Sequence, residues 1–161
     1  MISKLVTVFL ALFSVAALAD SAPDCIDRGT ALQINNEQVI RWKSSTRNSF
    51  QARARVSGPV TQVYPDHSGH HHFQITLDNV GSNTLEVIFN EDFGTVPAIH
   101  TGMQIEACGD YITSIAQSGP YPASPDGAII HWVHISPRLN RHQSGYIAIN
   151  GVPYGMEFPN N

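Results

Sequence analysis

The feature that most constrains this chain is a run with period two. Phe50, Ala52, Ala54 and Val56 alternate with Gln51, Arg53 and Arg55. Side chains spaced this way line opposite faces of a strand, one buried and one wet. The pattern resumes at Val60 and Val63, and Gly58-Pro59 between them predicts a bulge or bend. Shorter segments follow, each bounded by turn residues: 72–77 after a turn at 66–69, 84–89 after a turn at 79–83, and 103–112 after a longer connection carrying Pro97. Residues 128–135 come next, behind a Pro-, Gly- and Ser-rich loop at 118–127. This segment is apolar on both faces, which predicts a central strand. Asn150-Gly151 within 146–154 is a strong signal for a type I′ hairpin.

The chain of 161 residues is one-domain size, and 42% hydrophobic content supplies a real core. Twelve Gly and ten Pro argue against a helical bundle. Five strands, the first long and bent, predict a mainly β protein: an OB-like five-stranded barrel with a short N-terminal helical segment. An open β-sandwich is the rival arrangement. The stretch from Gly102 to Gly109, Gly-x-x-Ile-x-x-x-Gly, resembles the fourth strand of OB barrels. The best helical window is 24–42, where Leu32, Val39 and Trp42 share a face and Asp27 offers a cap. Gly29 and Asn35-Asn36 cut it to one or two short turns, and 44–48 reads as a polar loop.

Residues 1–19, MISKLVTVFLALFSVAALA, have the form of an export signal. Lys4 is its positive end, residues 5–18 are nearly all apolar, and Ala17-Leu18-Ala19 predicts cleavage before Asp20. The apolar run is short of the roughly 20 residues that span a bilayer. The expected division is a signal peptide over 1–19, an N-terminal arm with a short helix over 20–48, and the barrel over 49–161. The expected location is periplasmic or extracellular. In such an oxidising compartment Cys25 and Cys108 read as one disulfide, with two buried thiols as the alternative.

Eight histidines are the oddest compositional fact, and seven fall in two runs: His67, His70, His71 and His72, then His131, His134 and His142. Neutral imidazole is the commonest ligand of zinc and related divalent transition metals. His72, His131 and His142 are the metal-ligand candidates. His131 and His134 point to opposite faces of any regular strand, so they do not chelate one ion together. The plainer readings are a hydrogen-bonded core histidine at 131, sharing a face with Ile129, Val133 and Ile135, and an exposed loop tip at 70–72. Arg53, Arg55, Arg138 and Arg141 are placed to flank a ligand groove, or to form a solvated charged face. Trp132 and Tyr146 offer stacking faces for a base or a sugar. The binding candidates are therefore His72, His131, Trp132, His134, Arg138, Arg141 and His142.

A formal charge of −4 disfavours non-specific nucleic-acid binding. Nucleophile-elbow, zinc-protease, phosphate-loop and dinucleotide motifs are all absent from the sequence. No pair of carboxylates stands at a spacing useful for catalysis.

The stretch Gly-Ala-Ile-Ile-His-Trp-Val-His-Ile-Ser-Pro-Arg from Gly127, followed by Arg-His-Gln-Ser-Gly-Tyr-Ile from Arg141 and Asn-Gly-Val-Pro-Tyr from Asn150, resembles an uncharacterised bacterial family, domain of unknown function 3465. Upstream, Asp66, Gly69 and His72 match its turn before the second strand, and Asn90 matches the residue that ends its third. The likeness runs from about Cys25 to Tyr154. Ser136 stands where that family usually has Asp, His71 where it has Arg, and Phe89 where it has His. The resemblance implies an exported small β-barrel and no particular reaction. Three functions are compatible with these features. The first is an exported binding module for a small molecule, a glycan or a protein. The second is a metal-dependent hydrolase using a His-ligated ion, and the third a structural or interaction protein of the envelope or secretome.

Overall fold

The computed structural model describes residues 22–138 and 142–159. The export-signal expectation lies outside the described residues. Two very short strands, β1 (Ile26–Asp27) and β2 (Thr30–Ala31), form a hairpin in the arm. Helix α1 (Asn36–Ser45) follows, then β3 (Gln51–Val63), β4 (His70–Thr76), β5 (Thr84–Asn90), β6 (Gln104–Thr113), β7 (Ala128–His131), β8 (Tyr146–Ile149) and β9 (Val152–Tyr154).

Strands β3 to β7 close into a barrel in the order β3-β4-β5-β7-β6, with β6 returning to β3. All its pairings are antiparallel except β5 with β7. This is the mainly β, five-stranded closed barrel with one short helix that the period-two segments predict. β3 is long because it serves two neighbours. Gln51–Pro59 pair with β6, and Val60–Val63 pair with β4. At Gly58 the missing Cβ leaves room for the Thr76 carbonyl. The register slip itself lies further on, between Val60 and Gln62. Phe73, Ile75, Leu85, Val87, Tyr111 and Ile130 point inward and are fully buried. Five such side chains at about 1.5–3 kcal/mol each would already match a typical domain's whole net stability.

The arm departs from expectation. Arg28 (φ 46°) and Gly29 (φ 87°) make a left-handed turn, so residues 26–31 form a hairpin, and Asp27 caps nothing. The helix starts later because the Asn35 side chain accepts from the Gln38 amide at 3.0 Å, an N-cap. It then continues through Ser45, two residues into the expected loop. Val39 is buried, and Trp42 sits 5.4 Å from Tyr111 and 5.8 Å from Phe50, ring centre to ring centre. Cys25 and Cys108 form the disulfide that ties this arm to β6. No helix among the described residues is long and apolar enough to cross a membrane. The terminal hairpin is as predicted, with Asn150 (φ 49°) and Gly151 (φ 86°) at its turn.

Candidate functional site

The expected fifth strand, 128–135, stops at His131. Its neighbour β6 explains why. Residues Asp110–Thr113 of β6 pair with β7, whereas Ile105–Cys108 pair with β8. At the handover the chain must leave the sheet, and it does so at Trp132, whose φ is 51°. A left-handed aromatic residue is costly, of the order of 1 kcal/mol, and persists only where its surroundings enforce it. Three glycines supply the enforcement. Cβ atoms at Gly109, Gly145 and Gly155 would all strike the backbone of residues 131–134. The Gly145 amide donates to the His134 carbonyl, and the Ile135 amide to the Gly155 carbonyl, both at 2.7 Å.

This kink rearranges the side chains. His131 no longer shares a face with Val133 and Ile135, which turn into the core. Instead His131 and Trp132 lie side by side, ring centres 5.2 Å apart and planes 6° from parallel. Trp132 is stacked in turn with His142 at 5.7 Å, and His142 meets His134 edge-on at 5.1 Å. His134 lies on Phe93, 3.5 Å away. In the other direction His131 meets His70 at 5.5 Å, and His70 lies 6.4 Å from His72. The two histidine runs thus join in one strip of rings, from β4 across β7 to the turn beyond it.

The strip is uncharged at its centre. Burial first, and the neighbouring histidines next, push His131 down to about 3. Burial likewise pushes His134 down to about 4, although a hydrogen bond to the Ile135 carbonyl works against it. His134, not His131, is the hydrogen-bonded core histidine, 3% exposed. Residues 70–72 begin β4 rather than forming a loop tip. Of the arginines, Arg138 is exposed beyond the strip, and Arg141 lies outside the described residues.

Arg53, Arg55 and Tyr146 all have partners within the chain. Arg53 pairs with Asp110 at 2.9 Å and holds the Ile26 and Ser144 carbonyls. Arg55 pairs with Glu106 at 2.8 Å and donates to the Leu32 carbonyl. Tyr146 is buried and donates to Glu106. These side chains fasten the arm to the barrel.

Beside the strip, on the same outer face of β4 and β5, is a polar network that the sequence did not announce. Glu86, 6% exposed, accepts from His72 Nδ1 at 2.7 Å through one oxygen and from Ser124 Oγ at 2.5 Å through the other. Asp126 accepts from Tyr64, Gln74 and Thr84 at 2.6–2.8 Å. Burial, and then the Asp126 hydrogen bond, hold the Tyr64 phenol well above its ordinary range. The only hint was an acid inside the apolar run Leu85-Glu86-Val87-Ile88. His72 and Ser124 both bond to the carboxylate rather than to each other, so the serine has no imidazole base and this is not a nucleophilic triad. The network pins the 114–127 loop onto the barrel. Asp126→Ala leaves three donors facing a void, and the expected loss is about 3 kcal/mol, read as a lower denaturant midpoint. A midpoint equal to the parent's would show that the loop is held by something else.

Among the described residues one set of three ligand-type side chains has its donor atoms within 4.8 Å: Asp66, His71 and Glu91. There Asp66 meets Nδ1 of His71 at 3.0 Å and Glu91 meets Nε2 at 3.5 Å. With an acid at each ring nitrogen, the imidazole bridges the 66–69 turn and the 91–93 turn. A groove of about 270 Å³ opens beside His71 and His72. A larger depression, about 370 Å³, lies by Arg55 and Glu106 and holds none of the strip's rings.

A closed barrel of this strand order, with one outer face carrying rings and buried acids, defines a small OB-like β-barrel domain. The chain belongs to the family described as Protein of unknown function (DUF3465), whose model matches residues 28–155. No curated protein and no solved structure matches it.

Proposed function

We propose that this domain is exported and works as a ligand-binding module, with the ring strip as its ligand surface. The observation that supports the reading is the left-handed Trp132, which turns the indole to the same side as His131. Backbone strain at a half-buried aromatic is retained where the side chain's direction matters. His72, His131, Trp132 and His142 offer flat faces with ring nitrogens at their edges, and buried His134 backs them. Such a surface suits a ligand with a ring of its own, a sugar or a small heterocycle, held by stacking and a few hydrogen bonds. Arg138, exposed beyond the strip, offers a guanidinium for a carboxylate or phosphate group.

Titration of labelled protein with glycans, lipid headgroups, oligonucleotides and host proteins tests this by amide and indole NMR shifts. The expected result is saturable movement centred on Trp132, abolished in Trp132→Gly. Glycine takes φ 51° without a Cβ cost, so that variant keeps the barrel while losing the indole. Silence across every ligand class would overturn the reading.

A further inference from the structure

We propose that His70, His72 and His131 form a binding site for a divalent transition-metal ion of the nitrogen-preferring kind, copper(II) above zinc. The inference rests on the reading of the strip as a ligand surface and names one occupant of it.

The first support is placement. His70 and His72 share the outer face of β4, where His72 pairs with Ile88 of β5. β7 runs parallel to β5, with Val87 opposite Ile130, so one step along His131 stands beside Ile88 from the other side. The three imidazoles therefore rise around one apolar side chain. His70 is central, 5.5 Å from His131 at 82° and 6.4 Å from His72 at 57°. With metal–nitrogen bonds of about 2.0–2.1 Å, two imidazoles on one tetrahedral ion have ring centres roughly 5 Å apart. His70 and His131 are already close to that, and His72, held by Glu86, stands somewhat further from His70.

The second support is how the rings are held. His70 Nδ1 donates to the Ser68 carbonyl at 2.9 Å, and His72 Nδ1 bonds to Glu86 at 2.7 Å. A carbonyl only accepts, so in His70 the proton is on Nδ1 and the lone pair on Nε2. A carboxylate behind an imidazole does the same for His72, and this arrangement of carboxylate, histidine and metal is the usual outer support of an imidazole site. The ring of His131 makes no hydrogen bond among the described residues, although it is half-buried. The buried charge of Glu86 offsets that of an incoming cation. By contrast, the ring of His71 has both nitrogens committed to acids, and His142 stacks with Trp132.

The test is titration of untagged protein with copper(II), read by electron paramagnetic resonance, and with zinc, read by calorimetry. Expected is one ion per chain with nitrogen hyperfine structure, copper binding the more tightly. His70→Ala and His131→Ala should each weaken binding more than tenfold, and Glu86→Gln by about 10- to 100-fold. His67→Ala combined with His71→Ala should leave it unchanged. His70 is half-exposed, so its variant remains informative if His131→Ala does not fold. Affinity unmoved by His70→Ala, or lost in the His67/His71 pair, would mean an adventitious ion only and would overturn the site. Absence of metal binding would overturn it as well, while the organic-ligand titration stands or falls separately.

Discussion

Gly145→Ala is expected to destabilise the domain by about 3 kcal/mol or more, and to disorder the ring strip in whatever fraction still folds. A Cβ at this position falls against the Cys108 and Trp132 carbonyl oxygens and lies 3.2 Å from Val133 Cα. All three are backbone atoms, from β6 on one side and the turn after β7 on the other, so no side chain can swing away. Overpacking of this kind costs about 1–3 kcal/mol where a core can relax, and more where it cannot. Gly119→Ala is the control. Gly119 has φ 58° and nothing within 4 Å, so its variant suffers only left-handed strain, of the order of 1 kcal/mol. Chemical denaturation of the two variants side by side measures the difference. Equal losses would mean that the handover between β7 and β8 is not tightly packed.

The second large effect is expected from the disulfide. Cys25 and Cys108 are 83 residues apart, and both are fully buried. In the chain-entropy account, closing a loop of that length constrains the unfolded chain by about 4–5 kcal/mol. The double variant Cys25→Ser with Cys108→Ser should melt lower by roughly 10–20 °C, since 1 kcal/mol shifts a domain of this size by a few degrees. Scanning calorimetry of that variant, and of the parent with reductant, checks the expectation. Agreement between the two would assign the effect to the crosslink. A melting temperature that does not move would mean that the arm is held by Arg53 and Arg55 alone.

The barrel was legible because its evidence is local. Alternation over 50–63, the turns at 66–69 and 79–83, and Asn150-Gly151 each specify their own element, and together they leave few topologies. The misplaced helix was a matter of one residue. Gly29 looked like a weak point within a helix, whereas with Arg28 it makes the turn of a hairpin. The end of β7 was not legible. Nothing in Ile130-His131-Trp132-Val133 signals a left-handed tryptophan, because the cause is distant: Gly109, Gly145 and Gly155 crowding the same few atoms. The histidines were legible as a group from composition, but their neighbours were not. Which arginine finds Asp110 or Glu106, and which histidine finds Glu86, is set by the register between strands. Alternation within a strand fixes a face and says nothing of what stands across from it.

The parallel junction of β5 with β7 carries two paired positions, Glu86 with Ile129 and Val87 with Ile130, fewer than any other junction in the barrel wall. It is the wall's thinnest stave, and the rings of His70 and His72 stand on one side of it while those of His131 and Trp132 stand on the other. Anything laid across those rings rivets the joint. Occupancy and closure become one equilibrium, so part of the free energy gained at the surface goes into keeping the cylinder shut.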